Sequence, residues 1–143
     1  MNDAANRKLQ AIRVRTEVSS GNIAPLLHEI RHALAELSMT GACKIIDLKG
    51  IPLAPGEQES ILATLGEGEV RAEIQALGKS EIRETGFAGV WVVTHCDEQG
   101  DIKARFIEIT HMPEILESQE PDIGEGLARL EVLLQSMNEH SRD

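Results

Sequence analysis

The reactive side chains of this 143-residue chain occur in a few short stretches. His95 stands directly beside Cys96, and both residue types bind metals or pair as base and nucleophile. Adjacent strand residues point to opposite faces of a sheet, so these two share a site only where the strand has ended. A zinc site needs about four well-spaced ligands, and Cys43, Cys96, His95 and His111 show no recognised spacing. We interpret His95 and Cys96 as strand-end residues and predict no metal site.

Two further histidines lie in a segment with helical periodicity. His28 and His32 are four positions apart, which places them on one helix face, a geometry that can hold a metal. Glu29 and Arg31 lie among them, and no third ligand is implied. This composition favours a solvated helix face.

The stretch GEGEV, residues 66–70, combines two glycines with two carboxylates. Phosphate-binding loops gather backbone N–H groups at the start of a helix, whereas this stretch follows a predicted helix and enters a strand. Glu67 and Glu69 would also repel a phosphate. We interpret Gly66 as a helix stop followed by a tight entry into a sheet.

Carboxylates in or beside predicted strands offer acid–base chemistry as an alternative. Glu81, Glu84 and Glu108 occupy such positions; a buried pair could act as acid and base, although strand carboxylates more often face solvent. The sequence contains no Ser-His-Asp pattern, nucleophile elbow or dinucleotide fingerprint. We predict no catalytic residue and no cofactor, and we retain a small acid–base enzyme that uses Glu67, Glu69 or Glu84 as an alternative.

The overall charge restricts the classes of partner. The formal net charge of -10 argues against binding to nucleic acid or to anionic lipid, because both require basic surface. Two cysteines are too few for a disulfide scaffold, and we find no apolar run that predicts a signal peptide or a membrane span. We expect a cytoplasmic protein with free thiols.

The elements that must position these residues follow from hydrophobic periodicity. Helical spacing appears in residues 22–40, 55–66 and 121–137, and strand alternation appears in residues 70–76, 81–85, 90–95 and 104–110. We place turns at Gly78-Lys79-Ser80 and, between the last two strands, at Gly100. A short apolar segment, residues 44–48, follows the first helix and is not assigned to an element.

The order of helices, then strands, then a helix does not fit a parallel β-α-β sheet. It predicts an α+β fold, with an antiparallel β-meander of about four strands and amphipathic helices packed on one face. Residues 1–20 are predicted to be a polar N-terminal arm or edge strand, and residues 21–143 a single domain.

Three blocks together resemble a known family. They are IDLKGIPLAPGEQESILATLGEGEV, SEIRETGFAGVWVVTHCDEQGDI and FIEITHMPEIL, which span about residues 47–116. The order and spacing of LGEGEV, Ile-x-Glu-Thr, GVW and IEI-x-x-x-P are specific, whereas no single piece would be. The blocks resemble the conserved C-terminal module of hydrogenase expression/formation proteins of the HupH/HyaF type.

The resemblance implies an accessory, chaperone-like protein in the maturation of an uptake nickel–iron hydrogenase. Its expected partners are the iron–sulfur small subunit or its precursor, before twin-arginine export, and other maturation factors; a homodimer is left open. We predict a partner-binding surface made of Glu67, Gly68, Glu69, Glu84 and Trp91, in which the tryptophan is either a buried anchor or part of the recognition surface. A metal or iron–sulfur carrier using Cys43, Cys96, His95 and His111 remains a further alternative.

Overall fold

Helix α1, Ile23–Thr40, is the first element of the computed structural model, which describes residues 19–143. The predicted N-terminal arm, residues 1–20, lies outside the described residues apart from Ser19 and Ser20. Apolar residues recur in α1 at three- and four-residue spacing, and the side chains that this places on one face are buried: Leu26, Ile30, Ala33 and Leu37. The helix ends at Gly41, whose left-handed φ of 77° lets its N–H donate to the Leu37 carbonyl.

Helix α2, Glu57–Leu65, is short and held by its first residue. The Glu57 carboxylate is buried and accepts hydrogen bonds from the Ser20 hydroxyl at 2.5 Å, the Ser20 N–H at 2.7 Å and the Ala54 N–H at 3.2 Å. These bonds, the Ser20 hydroxyl foremost, lower the pKa of Glu57 below its ordinary value, because they stabilise the ionised form. The helix ends, as predicted, at Gly66.

The sheet contains five antiparallel strands in the order β1-β5-β4-β3-β2. The strands are β1 Lys44–Asp47, β2 Arg71–Ala76, β3 Gly78–Glu84, β4 Val90–Cys96 and β5 Ile102–Ile109. The last four form the predicted meander, which confirms the α+β class. Strand β1 was not predicted: it is the short apolar segment at residues 44–48, and it pairs with β5 at the edge of the sheet.

The predicted turn at Gly78-Lys79-Ser80 is wrong by a few residues. Leu77 alone separates β2 from β3, and Gly78 already belongs to β3. Gly78 has a φ of 104°, and a Cβ at this position would collide with the Cys96 carbonyl. The glycine is therefore needed where β3 meets the end of β4, in addition to its place beside the turn.

The core lies between one face of the sheet and the two helices. Val90, Ile107 and Ile109 face this side and cluster with the buried side chains of α1 and α2. Alternation along β4 then places Trp91 and Val93 on the opposite face. Both are buried, at 5% and 2% exposure.

A second compact unit covers Met112–Asp143, whereas the first ends at His111. The second unit contains a short 3-10 turn, Glu114–Leu116, and helix α3, Glu120–His140, which confirms the helix predicted for this region. Every residue of α3 is exposed. Among the described residues, we find no helix long and apolar enough to cross a bilayer.

Candidate functional site

The acidic turn, residues 66–70, connects α2 to β2. At Gly66 the backbone has φ 71° and ψ −165°, a conformation that is essentially restricted to glycine. Its N–H still donates to the Leu62 carbonyl at 3.0 Å, so it closes the helix while sending the chain away from the helix axis. This geometry supports the interpretation of Gly66 as a helix stop.

Backbone hydrogen bonds fasten the acidic turn to the end of β3. The Gly68 N–H donates to the Glu84 carbonyl at 2.9 Å, and the Glu84 N–H donates to the Val70 carbonyl at 2.9 Å. One residue beyond Thr85, the Gly86 N–H donates to the Leu65 carbonyl at 2.8 Å. These bonds continue the β2–β3 pairing and fix Glu84 beside the acidic turn.

The approach at Gly68 is too close for a side chain. A Cβ there would lie 2.5 Å from the Thr85 carbonyl oxygen and 3.0 Å from Glu84 Oε1. Real Cβ atoms do not approach a backbone oxygen this closely. Gly68 therefore lets the two carboxylate-bearing segments meet.

The carboxylates of the acidic turn face solvent. Glu67 and Glu69 are exposed, and neither forms an ion pair within residues 19–143. Glu84 is half-buried. The structure thus brings Glu67, Gly68, Glu69 and Glu84 together, four of the five residues predicted for the partner-binding surface.

A cation that the sequence interpretation missed lies at the acidic turn. Arg83 Nη1 donates to the Gly66 carbonyl at 2.9 Å. No Lys or Arg occurs in residues 56–70 of the sequence, and Arg83 reaches the turn only through strand pairing. Its contact is with a carbonyl oxygen, so the guanidinium supports the backbone.

Two exposed apolar side chains, one at the end of the acidic turn and one beside it, were not predicted as site residues. Phe87 is 52% exposed, and it follows Gly86, which is bonded to the end of α2. Val70, the last residue of the turn, is 45% exposed. Single exposed apolar residues are common, but Phe87 is one of only three aromatic residues in the chain. The surface around the turn therefore combines negative charge with an exposed aromatic ring.

Trp91 is buried, unlike the other four residues predicted for the partner-binding surface. Its Cα lies opposite Glu84 in the sheet register, but its side chain is only 5% exposed. The indole Nε1–H donates to the Thr110 carbonyl at 3.1 Å. Of the two roles considered for this tryptophan, the geometry supports the buried anchor.

A groove of about 470 Å³ lies near the same end of the sheet. It is lined by α1 residues Leu34, Leu37 and Ser38, together with Glu84, Ala88, Gly89 and His111. The acid–base alternative needs a pair of its carboxylates in a shared enclosed site. Glu67 and Glu69 face solvent, and only Glu84 lines this groove, where His111 is the other titratable residue. This arrangement offers no support for the enzyme alternative.

The cysteines and histidines are dispersed in the described structure. His95 Nδ1 is hydrogen-bonded to Ser80 Oγ at 2.7 Å, and Cys96 ends β4 beyond a register shift. Cys43 Sγ lies 3.4 Å from Thr110 Oγ1. Across residues 19–143, no three His, Cys, Asp or Glu side chains are grouped to hold a metal ion.

Comparison with known proteins gives one consistent family. Residues 21–137 match the family model described as HupH hydrogenase expression protein, C-terminal conserved region. A solved structure titled hydrogenase expression protein HupH, from Thiobacillus denitrificans ATCC 25259, superposes with a TM-score of 0.78 and 39% identity, covering 83% of this chain and 99% of that one.

Curated relatives carry related names. The chain is 34% identical over 93 residues to hydrogenase expression/formation protein HupH of Rhizobium leguminosarum bv. viciae, covering 63% of this chain and 32% of the relative. It is 25% identical over 121 residues to hydrogenase expression/formation protein HoxQ of Azotobacter vinelandii, covering 81% of this chain and 42% of the relative. The chain therefore spans less than half the length of these relatives.

Proposed function

This chain belongs to the HupH hydrogenase expression protein family, through the C-terminal conserved region, and we propose that it acts as a non-catalytic, chaperone-like factor in hydrogenase maturation. Its partner in this proposal is the iron–sulfur small subunit of an uptake nickel–iron hydrogenase, bound as a precursor before export. The observation that carries the proposal is the exposed acidic turn, with Glu67 and Glu69 unpaired among the described residues and held rigidly against Glu84.

Charge supports a basic segment as the bound part of the partner. The chain carries a formal net charge of -10, and the acidic turn gathers two of its unpaired carboxylates at one place. A precursor with a twin-arginine signal, as the family resemblance implies, offers a basic segment of matching charge. Complementary charges act mainly by steering the encounter and raising the association rate.

Rigid presentation of the carboxylates supports the same role. The backbone hydrogen bonds from Gly68 and Glu84 order the turn before any partner arrives. An ordered turn loses little conformational entropy on binding, so more of the electrostatic attraction remains as affinity. Phe87 and Val70 provide exposed apolar surface beside the charges, and an aromatic side chain is a frequent anchor of protein interfaces.

Binding kinetics of the charge-neutralised turn test the proposal. We expect the Glu67→Gln/Glu69→Gln variant to associate several-fold more slowly with the purified small-subunit precursor at about 20 mM salt, and to lose most of the difference at about 300 mM salt. Its melting temperature should be unchanged, because unpaired exposed carboxylates contribute little to stability.

A matched control separates local charge from net charge. Glu36→Gln/Glu98→Gln removes the same two charges from exposed positions in α1 and in the β4–β5 hairpin. We expect this control to retain nearly wild-type association. Unaltered kinetics for the turn variant at low salt, or an equal loss in the control, would contradict a role of the acidic turn in binding.

The carrier and enzyme alternatives have no specific observation in their favour within residues 19–143. Metal analysis of protein purified without a histidine tag, compared between the wild type and a Cys43→Ser/Cys96→Ser variant, tests the carrier directly. Stoichiometric iron or zinc that disappears in the double variant would replace the chaperone proposal with a carrier.

A further inference from the structure

Helix α3 carries a continuous apolar face that is exposed along its whole length. The side chains of this face are between 50% and 59% exposed: Ile123, Leu127, Leu130, Leu134 and Met137. Their spacing alternates four, three, four and three residues. This alternation is the heptad pattern of a two-helix coiled-coil seam, which places every one of them against a partner helix.

Glu120, the first residue of α3, lies three positions before Ile123 and places one charge at the end of the seam; the later charged residues of α3 avoid this face. Glu125, Arg129 and Glu139 fall on the opposite side of the helix, and Glu131 is the one charged residue at a position directly flanking the seam. A second helix can therefore approach the seam from Ile123 to Leu134 without burying a charge. Leu133, 55% exposed, widens the apolar face on one flank.

We propose that this seam binds the same helix of a second copy of the chain, with the two α3 helices antiparallel. The seam residues together with Leu133 would each remove on the order of 100 Å² from water, or on the order of 600 Å² per copy. This area reaches the lower end of stable protein interfaces, which bury about 600–800 Å² per partner. A seam of this length is thus sufficient for a reversible homodimer.

The glycines of α3 favour the antiparallel arrangement. Antiparallel seams place the two alternating kinds of seam position against each other, so Leu127 meets Leu130 of the second copy and Ile123 meets its Leu134. In that register, Gly126 lies beside Leu133 of the second copy. A Cβ at Gly126 has no neighbour within 4 Å in the single chain, so this space is open to the leucine. A parallel pair would set Leu133 against the polar Asn138.

The helix ends favour the same orientation. The first turn of α3 contains Glu120 and Asp122, and its last turn contains His140 with Arg142 just beyond. Antiparallel packing brings the acidic start of one helix towards the basic side chains at the end of the other, and opposes the two helix dipoles. Parallel packing would place the two acidic starts together.

Sedimentation of the full chain tests the dimer. We expect a concentration-dependent monomer–dimer equilibrium with a Kd of about 1–100 µM, given the modest area. Leu130→Glu places a charge in both halves of the seam and should weaken the dimer at least about a hundredfold. Val132→Glu is the matched control, since Val132 is 65% exposed and lies on the outer face; this variant should dimerise like the wild type.

Several outcomes would overturn the proposal. A wild-type chain that stays monomeric at about 100 µM removes the dimer. A dimer that Leu130→Glu leaves intact, or that Val132→Glu weakens equally, removes the seam. Circular dichroism of both variants separates loss of association from loss of helix.

Spin labels test the orientation. A single cysteine introduced by Glu139→Cys, in a Cys43→Ser/Cys96→Ser background, places one label near the end of each helix. Antiparallel helices separate the two labels by about 30 Å along the axis, because the facing position lies about 21 residues away. Parallel helices hold the labels at the same height, so the interhelical spacing of about 8–10 Å and the outward reach of the two side chains alone separate them. A short distance would overturn the antiparallel arrangement.

Discussion

Gly68→Ala is the sharpest test of how the acidic turn is built. The added Cβ would lie 2.5 Å from the Thr85 carbonyl oxygen, 3.0 Å from Glu84 Oε1 and 3.2 Å from Glu84 Cβ. Glu84 Oε1 can rotate away, but the Glu84 Cβ and the Thr85 carbonyl are fixed by the backbone and cannot. The variant must therefore displace the turn from the end of β3.

The cost of this displacement can be estimated from its parts. Forcing a methyl group into a filled space costs about 1–3 kcal/mol, and lengthening the 2.9 Å hydrogen bond from the Gly68 N–H to Glu84 costs about 0.5–1.5 kcal/mol. We expect a loss of about 2–4 kcal/mol, measured by urea unfolding, and a fall in Tm of roughly 6–12 °C for a chain of this size.

A neighbouring variant provides the control for Gly68→Ala. Glu67→Ala introduces the same residue one position earlier at an exposed site, so its unfolding free energy should stay within about 0.5 kcal/mol of the wild type. If Gly68→Ala also stays within this range, the close approach described at the acidic turn is incorrect.

The remaining predictions concern three other anchors. Gly66→Val should lower soluble yield and cost about 1–3 kcal/mol, because its φ of 71° with ψ −165° excludes side chains; normal yield would contradict this. Trp91→Ala should cost about 3–5 kcal/mol in urea unfolding, whereas unchanged stability with lost partner binding would place the ring on the interface. Glu57 has a lowered pKa, so its contribution to stability is complete above its ordinary pKa of 4.5 and disappears as the pH falls through the lower folded value. Glu57→Gln should flatten this acid limb of the unfolding free energy, and an identical limb in both proteins would refute the assignment.

The sequence predicts those elements whose periodicity is long enough to read. The apolar side chains of α1 repeat over 18 residues, and Val90–Cys96 and Ile102–Ile109 alternate on either side of a glycine-containing hairpin. Strand β1 has four residues, too few to show a period, so its place beside β5 follows only from pairing. The turn at Leu77 was misplaced because Gly78 has a second reason to be glycine, its contact with the end of β4.

The grouping of the carboxylates at the candidate site could be predicted from the sequence, whereas the positions of Arg83 and Phe87 could not. The acidic turn leads into the strand that pairs with the one carrying Glu84, so chain order alone brings the carboxylates near each other. Arg83 and Phe87 were missed because their places depend on strand register and on the exposure of a turn. The burial of Trp91 could not be predicted either, because the residue lies on the sheet face opposite the helices and is still only 5% exposed.

Co-purification from cells that express an uptake hydrogenase tests the central claim most directly. Tagged wild-type protein, compared by quantitative mass spectrometry with an untagged control, should enrich the small subunit with its export signal still attached. The Glu67→Gln/Glu69→Gln variant should lose this enrichment at low salt, and Glu36→Gln/Glu98→Gln should keep it. Absence of the small-subunit precursor from the wild-type sample, or its equal recovery with the turn variant, would contradict the proposed function of the acidic turn.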